Sequence, residues 1–150
     1  GGWAWNEWGK TSETQHTATV VQALLAASEP VGSAEVSKAL AFIRSNRNSD
    51  GGYGYQSGDA SDVDTTAFAV QALLSAAASP GGNWCATVQC DYLLSQQASD
   101  GSYLFYGAPS LYTTQEVIPA LMHRPYGPLA DWQYNCHFVY FPVMALHSGK

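Results

Sequence analysis

An internal repeat with a period of about 50 residues constrains this chain more than any other feature. Gly1-Gly2-Trp3-Ala4-Trp5, Gly51-Gly52-Tyr53-Gly54-Tyr55 and Gly101-Ser102-Tyr103-Leu104-Phe105 begin 50 residues apart. Phe42-Ile43 precedes Ser49-Asp50-Gly51 as Tyr92-Leu93 precedes Ser99-Asp100-Gly101. Thr17-Ala18-Thr19-Val20-Val21-Gln22-Ala23-Leu24-Leu25 returns as Thr66-Ala67-Phe68-Ala69-Val70-Gln71-Ala72-Leu73-Leu74, and more weakly as the segment Thr113 to Leu121. Tandem units of this size cannot bury an apolar stripe alone and gain a core only by stacking on their neighbours.

Each unit reads as a Gly-aromatic loop, a helix, a short turn and a second helix. Ala18, Val21 and Leu25 share one face of a first helix over about Gln15 to Ala27. Glu29-Pro30 and Gly32 break it, and Ser33 with Glu35 opens a second helix carrying Val36, Leu40 and Ile43 on one stripe. The next unit predicts helices over about Thr65 to Ala77 and Cys85 to Gln97, joined by a Pro80-Gly81-Gly82 turn. The third unit departs from the plan. Pro119 falls inside its first helix, and Phe138 to Phe141 before Pro142 fits strand, helix or loop. The expectation is an all-α fold of about three helical hairpins in one domain over 1–150, with units near 1–50, 51–100 and 101–150.

Composition narrows the function classes. The chain is 46% hydrophobic and 12% charged, which argues against disorder. Its twelve acids, six scattered bases and net charge of −6 leave no basic patch to track a phosphate backbone, so nucleic acid is not an expected partner. The apolar run Ala23 to Ala27 is far too short for a transmembrane segment. No charged and apolar pair of segments marks a signal peptide at the start. Few lysines with many Ser, Thr, Gly and Tyr suit an extracellular or cell-surface setting, with the cytoplasm still open.

Lys38-Ala39-Leu40-Ala41-Phe42-Ile43, then Arg47, then Gly51-Gly52-Tyr53, resembles the QW repeat of the prenyltransferase and squalene-cyclase superfamily. Arg47 stands where that repeat has Gln, and Tyr53 where it has Trp. The copy from Tyr92-Leu93 through Gln97 to Gly101-Ser102-Tyr103 keeps the Gln and lacks the basic start. The resemblance reaches to about Leu121 and implies an α/α toroid, a closed ring with more hairpins than this chain supplies. Gly1-Gly2-Trp3 resembles the tail of a copy whose helix is absent. The chain is therefore expected to be part of a longer one, or a protomer whose ring is completed in a homodimer. The family's activities are diverse, so its fold is implied more sharply than its function.

Asp62-Val63-Asp64-Thr65-Thr66-Ala67 is similar to the Asp-x-Asp-Asp-Thr-Ala motif of class II terpene cyclases such as squalene-hopene cyclase. That similarity implies Asp64 as a catalytic proton donor to an alkene, with Asp62 its neighbour; Thr65 replaces the motif's third Asp. The other reading places Asp64 at the N-cap of the Thr65 to Ala77 helix, where backbone N–H groups hold a carboxylate ionised. The equivalent residues are Glu13 with Gln15 and Ser110 with Tyr112, so the repeat itself requires no acid pair.

Asp50, Asp59, Asp62 and Asp64 crowd one segment but miss the EF-hand spacing for calcium. Cys90-Asp91 is adjacent and reversed relative to the prenyltransferase zinc pattern, and Cys85, Cys136 and His137 do not complete it. No metal and no cofactor is expected. Cys85 and Cys136, 51 residues apart, take comparable places on successive units, as a disulfide in an oxidising compartment or as buried thiols. His16, His123 and His147 have no spaced partners.

The aromatics after the repeat's glycines gather at one end of the stacked units. They staple each loop to the next helix or line a pocket for an apolar or cyclic small molecule. Trp5, Trp8, Tyr55 and Tyr106 are the expected ligand-facing residues. The favoured function is a non-catalytic module binding such a ligand or a protein partner; the alternative is a terpene-cyclase-like enzyme acting on a polyprenyl substrate through Asp64.

Overall fold

A computed structural model of the chain describes residues 1–77 and 87–122, and of 87–90 the backbone alone. The element order is α1 (Thr14–Ala26), α2 (Ala34–Ser45), β1 (Tyr53–Gly54), β2 (Ser61–Asp62), α3 (Val63–Ala76), α4 (Thr87–Ser95), β3 (Tyr103–Phe105), β4 (Ala108–Ser110) and α5 (Leu111–Leu121). The Pro80-Gly81-Gly82 turn and the segment Phe138 to Pro142 lie outside the described residues.

Helix α3 is central and packs against α1, α2, α4 and α5. Its faces divide the core. Ala69, Ala72 and Leu73 join Ala18 and Val21 of α1, Val36, Ala39, Leu40 and Ile43 of α2, and Tyr53. Ala67 and Val70 join Tyr92, Leu93, Tyr103, Val117, Ala120 and Leu121. The small residues of α3 let neighbours approach on both sides, so this helix carries apolar residues nearly all round instead of one stripe. The helical spacing read from Ala18 and Val21, and from Val36, Leu40 and Ile43, marks residues that are buried.

The all-α expectation, and the α/α toroid of helical hairpins with it, is corrected. The described residues form a mixed α/β structure: five helices with two separate two-stranded antiparallel sheets. Tyr53 pairs with Asp62 and Gly54 with Ser61; Tyr103, Leu104 and Phe105 pair with Ser110, Pro109 and Ala108. The physical reason is backbone satisfaction: the segments after the glycines pair with the chain returning to α3 or α5. Strands of two and three residues leave no alternation long enough to read in advance. Between Phe105 and Ala108 the two-residue turn Tyr106-Gly107 has φ of +48° and +83°, the geometry that matches strand twist in a tight hairpin.

A hydrogen bond recurs in all three units and ties each aromatic corner to the next helix. Trp3 N–H donates to Thr17 Oγ1 at 2.8 Å, Tyr53 N–H to Thr66 Oγ1 at 2.9 Å, and Tyr103 N–H to Thr114 Oγ1 at 2.9 Å. Thr66 and Thr114 in turn donate to the carbonyls of Asp62 and Ser110, at 2.6 and 2.7 Å. This latch selects Thr114 as the counterpart of Thr17 and Thr66, one residue later than the sequence match beginning at Thr113. Asp50 and Asp100 close the preceding turns by accepting from the N–H groups of Gly52 and Ser102, each at 3.0 Å. Tyr53 and Tyr103 are buried and Trp3 packs against the first core cluster, so these three aromatics act as staples.

Pro119 lies in the last turn of α5, where it has no N–H to donate to the Gln115 carbonyl one turn back. Helix α1 is stopped by Ser28 at φ +68°, with Glu29 N–H donating to Leu24 O at 2.9 Å, before Pro30 is reached.

Candidate functional site

The starts of α1 and α3 and the tip of the β3–β4 hairpin enclose a cleft of about 490 Å³, lined by Gln15, Tyr55, Asp62, Val63, Asp64, Thr65, Leu104, Phe105 and Tyr106. Successive units thus bring four of the sequence-selected residues together: Asp62, Asp64, Tyr55 and Tyr106. Trp5 reaches this group indirectly. His16 makes edge contacts with Trp5 at 5.7 Å and with Tyr55 at 5.9 Å between ring centroids. Trp8 is 80% exposed and is not among the lining residues.

The two aspartates do different things, and the N-cap assignment is corrected. Asp62, not Asp64, caps α3: its Oδ1 accepts from Thr65 N–H at 2.7 Å, as Ser110 Oγ accepts from Thr113 N–H at the start of α5. Burial raises the Asp62 carboxyl above its ordinary value; the Thr65 N–H opposes the rise and Asp59 adds to it. Asp64, one residue into the helix, makes no such bond, and its Oδ1 is buried without a partner. Burial raises its carboxyl as well, with Asp62 adding and the nearby Thr113 hydroxyl opposing.

Behind Asp64 lies a polar seam between α3 and α5. Glu116 is only 6% exposed and its Oε2 is without a partner. Its carboxyl is raised by burial and then by Asp64, with a Tyr112 hydrogen bond opposing. The helices are cross-linked here by Gln71 Nε2, which donates to Glu116 O at 2.8 Å. Sequence reading missed Glu116. Its signal was an acid among the apolar positions of the third copy, Glu116-Val117, where a charge has no structural reason to be.

Tyr55 is raised by burial, then by Glu13 and by Asp62. Glu13 Oε2 lies 2.8 Å from His16 Nδ1, and the Tyr55 hydroxyl 3.4 Å from the same nitrogen. Sequence reading treated His16 as isolated; its partners are Glu13 and Trp5 of its own unit and Tyr55 of the next.

Phe105 and Tyr106 form the outer wall, their centroids 4.4 Å apart in an edge contact. Phe105 is 51% and Tyr106 95% exposed. Trp5, Trp8, Leu104, Leu111 and Tyr112 add to the large apolar side chains left exposed near the starts of these helices.

Of the four crowded acids, Asp50, Asp59 and Asp62 are used locally, Asp62 as the cap of α3. Asp50 accepts from Gly52 N–H and Ser61 Oγ–H, and Asp59 from Gln56 N–H. Among the described residues no group of three or more His, Cys, Asp or Glu is placed to hold a metal ion. The Cys85–Cys136 pairing lies outside the described residues, as do His123, His137, His147 and the Cys90 thiol. Among the described residues no helix is long and apolar enough to cross a membrane. No protein-family model matches the chain, and no curated protein matches it.

Proposed function

We propose that the chain is a non-catalytic binding module that takes a small apolar or cyclic molecule into the cleft between Tyr55 and the Phe105-Tyr106 wall. The observation that carries this reading is Tyr106. Its backbone sits at φ +48°, where Asn or Gly is the less strained residue, and its ring is 95% exposed. Neither turn geometry nor core burial accounts for an aromatic there. Strain retained together with an exposed apolar surface fits a position kept for contact with something else. The cleft volume of about 490 Å³ suits a drug-sized molecule.

A terpene-cyclase-like reaction is the second reading, favoured by one observation: Asp64 is free of the capping role and its carboxyl is raised by burial. An alkene-protonating acid also needs a cavity that excludes water around the developing cation. Walls as exposed as Phe105 and Tyr106 do not provide one. The motif's third acid is Thr65 in this chain.

Tyr106→Asn separates contact from structure. The substitution relieves the turn and stabilises the fold by about 1 kcal/mol, while titration with N-phenyl-1-naphthylamine, a neutral fluorescent probe, weakens by about tenfold. Unchanged probe affinity in a more stable variant would sink the reading.

A further inference from the structure

The cleft is charged on one side only. Its lining carries two carboxyls, Asp62 and Asp64, and no Lys, Arg or His. Asp62 is engaged with Thr65 N–H, which leaves Asp64 as the acid available to a ligand. At the same floor, Thr65 is completely buried and lines the cleft, its hydroxyl beside the Asp62 carboxyl and otherwise without a hydrogen-bonding partner. Immediately behind, Asp64 Oδ1 and Glu116 Oε2 are buried and unpartnered too, with the Thr113 hydroxyl beside Asp64. Thr113 is 1% and Glu116 6% exposed, so these are not surface groups hydrated at will. Buried polar atoms are ordinarily satisfied, and several left open on one side of a cleft mark a place where partners are missing; the carboxylate oxygens among them can only accept when ionised.

The charged groups that bear on Asp64 are both acids: Asp62 at its own helix start and Glu116 from α5, with the Thr113 hydroxyl of α5 beside it. Farther along the same end, Glu13 with His16 and the Tyr55 hydroxyl lie near Asp62. Among the described residues, ion pairing at this end is confined to Glu13 with His16. A carboxylate or phosphate entering here meets repulsion; a cation meets uncompensated acceptors and the faces of Tyr55, Phe105 and Tyr106.

We infer that the ligand of this cleft is a small organic cation, a protonated amine carried on an apolar ring system, with the ammonium at Asp64 and Thr65 and the ring against Phe105 and Tyr106. An ammonium offers three donors and no acceptor, which suits a floor rich in oxygen atoms. The ring needs the wall, so an inorganic cation does not satisfy the site. This inference rests on the binding reading above and adds to it the charge of the ligand. Binding favours the ionised Asp64, so affinity falls with acidity as the carboxyl takes up its proton.

Tryptamine and tryptophol share an indole and differ in ammonium against hydroxyl. Each is titrated against the full chain loaded with N-phenyl-1-naphthylamine, at pH 7.5 and at steps down to pH 4. The expected result is displacement by tryptamine at a concentration at least about tenfold lower than by tryptophol at pH 7.5. That preference shrinks as pH falls, and it is lost in Asp64→Asn, whose folding is checked by circular dichroism. The wild-type pH series stands alone should the variant fold poorly. Equal displacement by the two indoles, or a preference that ignores pH, overturns the inference while leaving the binding reading intact. A chain that does not bind the naphthylamine overturns both.

Discussion

Replacing Thr66 by valine tests the latch that holds the aromatic corners in place. Valine matches threonine in shape, so no cavity opens and the change is one of hydrogen bonding. Thr66 and Tyr53 are both fully buried, and Thr66 Oγ1 accepts the Tyr53 N–H at 2.9 Å while donating to Asp62 O at 2.6 Å. Water cannot replace the lost acceptor, and an orphaned buried donor costs about 1–3 kcal/mol. Taking about 2 kcal/mol, and about 2–4 °C per kcal/mol for a chain of this size, Tm falls by about 4–8 °C. Thr19 is the internal control: it is exposed, and its hydroxyl serves only the Gln15 carbonyl of its own helix at 3.0 Å. Thr19→Val stays within about 0.5 kcal/mol of the parent, and Thr66→Ser, which keeps the acceptor, recovers most of the loss. Urea unfolding followed by circular dichroism gives the energies, and amide exchange at Tyr53 gives the location. A Thr66→Val chain as stable as the parent, or one whose Tyr53 amide stays protected, would refute the latch.

The division of labour between the two aspartates has its own signature: Asp62→Ala removes the cap of α3 and lowers stability by about 1 kcal/mol, a loss that Asp64→Ala does not share. Burial raises the folded pKa of Asp64 above the ordinary carboxylate value. Its contribution to stability is therefore present in acid and lost as pH rises through the folded pKa. Urea midpoints of the parent and Asp64→Asn, compared at pH 4 and pH 7, are expected to shift in the variant's favour on going to pH 7; the opposite drift contradicts the burial of an unpaired carboxyl. Ser28→Gly relieves the φ of +68° that ends α1 and is expected to raise stability by about 0.5–1 kcal/mol, read from the same unfolding curves.

The repeat was legible because its chemistry is local. Gly51 and Gly101 take φ of +87° and +86°, and Asp50 and Asp100 close the two turns in the same way, so the chain rewrites the same residues at each corner. Helix positions were legible for Val36, Leu40 and Ile43 because one face is buried and the period shows. The hairpins were not. Tyr53–Gly54 is two residues long, and the Tyr106-Gly107 turn hides behind a residue that rarely accepts positive φ. The cap on α3 was placed two residues late because Asp62 and Asp64 both precede Thr66, and only the backbone decides which one meets an N–H. Tyr55, Tyr106 and the acid pair, singled out for their places after glycines and in a motif, line one cleft. Glu116 and Thr113 were missed as site neighbours because their significance lies in contacts with Asp64, in the unit some 50 residues before.

The most direct test of a ligand cleft at the hairpin end is a map of where a neutral probe touches the chain. Amide chemical shifts recorded during titration with N-phenyl-1-naphthylamine are expected to move at Tyr55, Asp64, Thr65, Leu104, Phe105 and Tyr106, saturating together with one Kd. Shifts scattered over the exposed faces of α2 and α4, or none that saturate, would contradict it.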